Sequence, residues 1–316
     1  MATRLIVDTD TAGDDAFSLL LALLHPDAQL EAVTVVCGNV DFDQEVANAL
    51  YTIEVAGRSG EVPVHPGCGR PRLRERTAAE LLLSKKIHGM DGMGDSHFPP
   101  AEQRPSGEHA VDAILRIVSA SPGEVSILAH GPLTNIAAAC IRDPSLPRKT
   151  RGLWVMGGTN NSLGNVTPSA EFNFWVDPEA ASLVLRAGFS LTLVTWTTTL
   201  SHGVFSLEQL AAIAALDTPR SRFFGDVNRA SIALNATRGI AGSTHPDSLT
   251  CAVLLDPTLA TRAGDYFVDV ETAGTLTRGY SCVDLRGELH REPNAHVVEA
   301  VDNARFFGLM LDVLSR

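Results

Sequence analysis

Short apolar runs alternate with longer amphipathic ones along the chain. Leu5–Val7, Leu30–Cys37, Val125–Ala129, Leu153–Met156 and Leu191–Thr195 are rich in Val, Ile and Leu and read as strands. Between them, Asp14–Leu24, Phe42–Ala56, the LTNIAAACI segment after Pro132 and the DPEAASLVLRAG segment from Asp177 have helical character. Strands that are apolar throughout, rather than at every second residue, predict a sheet buried on both faces. Helices between successive strands predict parallel pairing. The expected fold is therefore α/β: an open, mostly parallel sheet flanked by helices, with a Rossmann-like core.

The polar stretches collect where each strand ends. The first strand runs into DTDTAGDD, the second into GNVD, the third into HGPLTN and the fourth into GGTNN. Open α/β sheets bind ligands at the carboxyl ends of their strands. Residues 58–105 are rich in Gly, Pro and charge and read as a long active-site loop with one short helix, Ala78–Lys85. Gly264–Val301 predicts further strands, and Asp302–Leu314 a closing helix. The chain shows no internal repeat and no low-complexity tract, so residues 1–316 are expected to form a single domain.

Composition narrows the partners. The 316 residues are 45% hydrophobic and carry a net charge of −12. A diffuse acidic surface argues against nucleic acid or an anionic membrane as partner. Five scattered cysteines (Cys37, Cys68, Cys140, Cys251, Cys282) form no CxxC pair, which fits small buried thiols in a reducing, cytoplasmic setting. MATRLIVD reaches an acidic cluster at once, so no signal peptide is expected, and Phe17–Leu24 is too short to span a bilayer.

That acidic cluster is the densest chemistry in the chain. Asp8, Asp10, Asp14 and Asp15 lie between an apolar strand and an apolar helix. A helix N-terminus favours nearby negative charge by only about 0.3–1 kcal/mol per group. That is too little to settle four carboxylates, whereas a hard divalent cation can settle them. An EF-hand loop fails, because Leu19 stands where a bidentate Glu is needed. An aspartyl-nucleophile phosphatase motif starting at Asp8 departs at its last position and lacks a clear partner lysine.

A third motif fits along nearly the whole chain. D-x-D-x-x-x-D-D after the first strand, VTVVCGN ending at Asn39, and GPLTNIA from Gly131 follow one another in order. VMGG followed by GNVTPSAEFNFWVDPEA, and HPDSLTCAVLLDP from His245 to Pro257, complete the series. Together they resemble the inosine–uridine-preferring nucleoside hydrolase family. The resemblance implies hydrolysis of the N-glycosidic bond of ribonucleosides to ribose and free base, with Ca²⁺ as cofactor. It also implies a homodimer or homotetramer acting on an uncharged small molecule.

By the same resemblance, Asp10, Asp15, Asp247 and the main-chain carbonyl of His130 are metal ligands. Asp10 is the general base for a Ca-bound water, and Asn39 lies near that water. Asp14, Asn165, Glu171, Asn173 and Asp247 meet the ribose. Glu171 and Asn173 share a direction if the EFN stretch is extended. His88 and His245 are the candidates for contact with the leaving base. Some relatives carry a histidine directly before the late aspartate, but here that position is Pro246, which has no proton to give. This departure keeps open a ribonucleoside-binding protein without efficient leaving-group activation; the aspartyl-nucleophile phosphatase is the other alternative. Phe172, Trp154, Trp175 and Trp196 are expected in the core, Asp91 and Asp95 in loop turns, and Arg229 and Arg238 on a solvated helix face.

Overall fold

The computed structural model describes residues 2–316. Its main sheet is built from eight strands. These are β1 (Thr3–Thr9), β2 (Ala28–Val35), β3 (Val64–Pro66), β4 (Val125–Ala129), β5 (Gly152–Met156), β6 (Leu191–Val194), β7 (Ala260–Tyr266) and β8 (Ala295–Val301). Their spatial order is β3-β2-β1-β4-β5-β6-β8-β7. All neighbours are parallel except the edge pair β8/β7, which is antiparallel. The α/β expectation therefore holds, and the five strands read from the sequence are β1, β2, β4, β5 and β6.

Each face of the sheet has its own core. Along β1, Leu5 and Val7 pack into one apolar cluster and Ile6 into the other, as the pleat requires. β4 (VSILA) is buried at every residue, which is why it lacks alternation in the sequence. The helix Asp14–Leu24 has ten of its eleven residues buried, because it packs on the sheet and against the helix Pro246–Leu255. Fully burying its Phe17 side chain contributes about 1.5–3 kcal/mol. Such a helix cannot shift, so the two aspartates in its first turn are fixed.

Three features depart from the sequence reading. β3, in the long 58–105 segment, has only three residues, too few for periodicity to reveal. The short helix in that segment reaches Ala78–His88, stabilised by a capping box between Thr77 and Glu80. His88 thus ends a helix instead of sitting in a loop. The helix expected to carry Arg229 and Arg238 is longer, Pro219–Thr237, opened by Thr218 as cap and Pro219 in the first turn, with Arg238 just past its end.

The chain reverses direction across the sheet at β1. From it, β2 and β3 extend to one side and β4, β5 and β6 to the other. This order opens a crevice beyond the carboxyl ends of β1 and β4. No helix among the described residues is long and apolar enough to cross a membrane.

Candidate active site

The cavity in this crevice is lined at its floor by Asp14, Asn39, His130, Met156, Asn173 and Asp247. β1 ends at Thr9, and its continuation carries Asp10, fully buried beside Asn39 of the cavity wall. Neither carboxylate oxygen of Asp10 has a hydrogen-bond partner. Gly38, just after β2, makes this possible: a Cβ there would lie 1.8 Å from Asp10 Oδ2. Burial, then the charges of Asp15 and Glu45, push the Asp10 carboxyl well above its ordinary range. Burial and the neighbouring aspartates do the same to Asp247.

Asp15 is the opposite case. Its Oδ1 accepts from the Thr9 hydroxyl at 2.7 Å and from His130 Nδ1 at 2.9 Å. Its Oδ2 accepts from the Ala12 N–H at 3.2 Å and from Asn39 Nδ2 at 3.3 Å. One carboxylate oxygen each of Asp15 and Asp247 and one ring nitrogen of His130 lie within 4.8 Å of one another. Asp10 is not part of this group, but its orphaned oxygens and the charge of neighbouring Asp15 make it a further oxygen donor that a divalent cation could use. The expectation for His130 was its carbonyl alone. That carbonyl accepts from Asn173 Nδ2 at 3.2 Å, and the imidazole of the same residue lies beside Asp15 and Asp247.

Asp14 lines the cavity, but its oxygens are taken. Oδ2 accepts from the N–H groups of Asp247 (2.7 Å) and Ser248 (3.0 Å). Oδ1 accepts from the Ser248 hydroxyl (2.6 Å) and His245 Nδ1 (2.8 Å). Asp14 thereby caps the helix Pro246–Leu255 from across the chain. Burial pushes its carboxyl up, but His245 and the Ser248 hydrogen bonds outweigh this and hold it below its ordinary range. His245 is not on the cavity wall. Its ring is fully buried, 4.4 Å from the Phe205 ring and 5.3 Å from the Phe224 ring. Pro246 opens the next helix, and the His245 ring packs toward Phe205 and Phe224 instead of the cavity expected for a contact with the leaving base.

The cavity's far wall comes from the EFN stretch, which is not extended. Glu171 caps a short helix, Phe172–Val176, accepting from the N–H groups of Asn173 and Phe174. It also accepts from the Gly158 N–H at 2.8 Å. Burial raises its carboxyl to about 7. Asn165 Oδ1 accepts from the Phe172 N–H at 2.9 Å. Asn165, Glu171 and Asn173 all reach the cavity, and so does Phe172, with the Arg76 guanidinium 5.4 Å from its ring centre. Phe172 therefore leaves the core position expected for it.

Of the tryptophans, Trp196 lines the cavity, while Trp154 packs against the core and Trp175 lies under Arg278. Asp91 accepts from the N–H groups of Met93, Asp95 and His97, organising the loop that follows His88.

The roof is the helix Ala78–His88. Its Ser84 hydroxyl donates to Asn39 Oδ1 at 2.8 Å, and Lys85 pairs with Asp41 at 2.6 Å. His88 Nδ1 is buried without a partner, and burial holds the imidazole below its ordinary range. Gly13, at φ +54, is what admits this ring: a Cβ there would meet His88 Nδ1 at 2.2 Å.

The remaining wall went unrecognised in the sequence. Asn228, Ser231, Asn235 and Arg238 line it, from the helix Pro219–Thr237 and its end. Their i, i+3, i+7, i+10 spacing is a polar stripe on one helix face, the signal that was there to find. Arg229 points elsewhere and pairs with Asp226.

Comparison with known proteins agrees with this architecture. The family model described as inosine-uridine preferring nucleoside hydrolase matches residues 5–308. A pyrimidine-specific ribonucleoside hydrolase from Enterobacter is 32% identical, covering 100% of this chain and 99% of the relative. The inosine-uridine preferring nucleoside hydrolase of Crithidia fasciculata is also 32% identical, covering 100% and 98%. A solved structure, the purine-preferring ribonucleoside hydrolase from Gardnerella vaginalis, superposes with a TM-score of 0.91 at 30% identity, covering 99% and 98%.

Proposed function

Because the chain belongs to the inosine–uridine-preferring nucleoside hydrolase family, and so is an enzyme that hydrolyses ribonucleosides to ribose and free base, we propose that Asp10 is the general base of that reaction. The observation that carries this reading is the Asp10 carboxylate, buried with both oxygens unpartnered beside the cavity-lining Asn39. A buried carboxylate whose oxygens have no other partner is free to take the proton of the attacking water.

Asp10, Asp15, Asp247 and the His130 carbonyl would hold a divalent cation, for which the resemblance implies Ca²⁺. Such an ion supplies positive charge that acidifies water and gathers vicinal ribose hydroxyls. Asn39 is oriented beside Asp10 by its bonds to Asp15 and Ser84 and steadies the water. Asn165, Glu171 and Asn173, on one wall, take the sugar hydroxyls, and the floor carboxylates favour the positive charge that develops on the sugar. His88, kept neutral by burial, meets the leaving base from the roof. Asp8 is a poor nucleophile candidate: it is buried and its Oδ1 accepts from Thr34 and Asn135, whereas Asp10 has both oxygens free. The five unpaired cysteines support a cytoplasmic setting, and the family resemblance supports a homo-oligomer.

The test is a reducing-sugar assay with inosine, uridine, cytidine, adenosine and p-nitrophenyl riboside, with and without chelator. Chelator-sensitive ribose release from a natural nucleoside is expected. Release from p-nitrophenyl riboside alone would remove His88 from its role, and no release at all would favour a binding protein.

A further inference from the structure

The cavity does not end at its sugar wall. Beyond Asn165 it continues into an open groove of about 540 Å³, and Asn165, Trp196 and Arg238 line both. The groove is mostly apolar. Leu163 comes from the loop before Asn165, Leu200 from the helix Trp196–His202, and Ile240 from just after the helix Pro219–Thr237. Leu163 is 72% exposed and Leu200 is 41% exposed, so two large apolar side chains face water beside a binding crevice. Among the described residues no carboxylate lines the groove, and Arg238 is its one charged side chain.

The walls decide which end of a ribonucleoside reaches this groove. His88 lies at one end of the polar stripe on the Pro219–Thr237 helix. The Gly94 N–H donates to the His88 carbonyl at 2.8 Å, and a Cβ on Gly94 would lie 2.2 Å from the Asp226 carbonyl oxygen, just before Asn228. Arg238 lies ten residues beyond Asn228, about 15 Å along the helix direction. Asn173 is tied to the floor, its Nδ2 donating to the carbonyls of His130 and Met156, both at 3.2 Å. Asn165 is the sugar-wall residue that borders the groove. With the base under His88 and the vicinal hydroxyls at the floor, C5′ points to Asn165 and to the groove behind it.

We propose that this groove is a subsite for an apolar group on C5′ of the ribose, so that the enzyme also hydrolyses nucleosides carrying an uncharged 5′-alkylthio substituent. The inference rests on the placement of ribose and base proposed above. The bond broken is still C1′–N: water gives its hydroxyl to C1′ and its other proton ends on the departing base, leaving free base and a 5-alkylthioribose. A thioether chain suits the groove because it buries methylenes against Leu163, Leu200 and Ile240 and leaves no polar group without a partner. A 5′-phosphate would meet a single guanidinium on a mostly apolar surface, too little to replace the water around a dianion.

The experiment compares kcat/KM of the full chain on p-nitrophenyl riboside and on its 5-deoxy, 5-deoxy-5-butylthio and 5-phosphate analogues. Cytidine and adenosine, with and without a butyl group on the exocyclic nitrogen, test the other end of the substrate. The 5-butylthio compound is expected to exceed the 5-deoxy compound by about tenfold. The double variant Leu163→Ser, Leu200→Ser changes two exposed side chains. It is expected to keep turnover of the unsubstituted riboside within about twofold and to lose most of the tenfold advantage.

A 5-butylthio compound no better than the 5-deoxy one overturns the subsite while leaving the placement of ribose and base intact. An advantage that survives in the double variant overturns it by putting the tail elsewhere, and a preference for the 5-phosphate overturns it by giving the groove to an anion. An advantage confined to butyl on the base shows that the base faces the groove, so the placement itself fails. If the unsubstituted riboside is not hydrolysed, the reading of the whole site fails, and the subsite with it.

Discussion

Asp10 and Asp14 show what position does to one residue type. Both are buried on the same loop and helix start. Asp14 receives four donors and becomes an ionised cap, whereas the carboxylate oxygens of Asp10 receive none. Replacing Asp14 disturbs the placement of Asp247; replacing Asp10 removes the proton acceptor itself. Asp10→Asn is expected to lower kcat by about 10²–10⁴-fold with a much smaller change in KM, in steady-state assays with a nucleoside and with p-nitrophenyl riboside. Unchanged turnover on both substrates would take the base role from Asp10.

At the level of elements, two helices bring the site together. The helix Pro246–Leu255 carries Asp247 and is held by Asp14 on the helix Asp14–Leu24, so two distant parts of the chain meet at one cap. The helix Ala78–His88 forms the roof and is tied to the floor through Ser84 and Asn39. Ser84→Ala leaves the Asn39 carbonyl without its donor, at a cost of about 1 kcal/mol. Backbone deuterium exchange across 78–88 should then rise about fivefold, with the Asp14–Leu24 helix unaffected. Equal exchange in the two proteins would show that Ser84 does not latch the roof.

For the whole molecule, the buried carboxylates set a pH dependence. Burial raises Glu171 from 4.5 to about 7 and Asp8 from 3.8 to about 6. In that range the folded chain holds protons that the unfolded chain has released. Stability from these groups is therefore full below the unfolded values and lost as pH rises through the folded ones. Asp14, held low, acts in the opposite sense only at more acid pH. The thermal midpoint of chelated protein should fall from about pH 5 to about pH 8. A divalent cation should raise it more at the upper end, where the floor carries more charge. A midpoint that rises over this interval, measured by calorimetry without metal, would contradict the assignment of these carboxylates as protonated when folded.

The sequence by itself determined the layers and the chemistry. Apolar strands without alternation meant a sheet covered on both sides, and the polar strand ends marked the edge where ligands bind. The helix Asp14–Leu24 was legible to the residue, because an acidic first turn meets an apolar run. The residues Asp10, Asn39, Asn165, Glu171, Asn173 and Asp247 were legible as ordered motifs. Their tertiary relations were not. Whether a histidine faces a cavity or an aromatic box depends on one proline's backbone and on Phe205 and Phe224, far away in sequence or on another helix. That the His130 ring holds Asp15, and that the Pro219–Thr237 helix supplies a wall, follow from packing between elements more than a hundred residues apart. Local pattern encodes which side chains are polar and which element holds them. Which of those polar atoms find donors, and which are left free for chemistry, is decided only when the elements close on one another and exclude water.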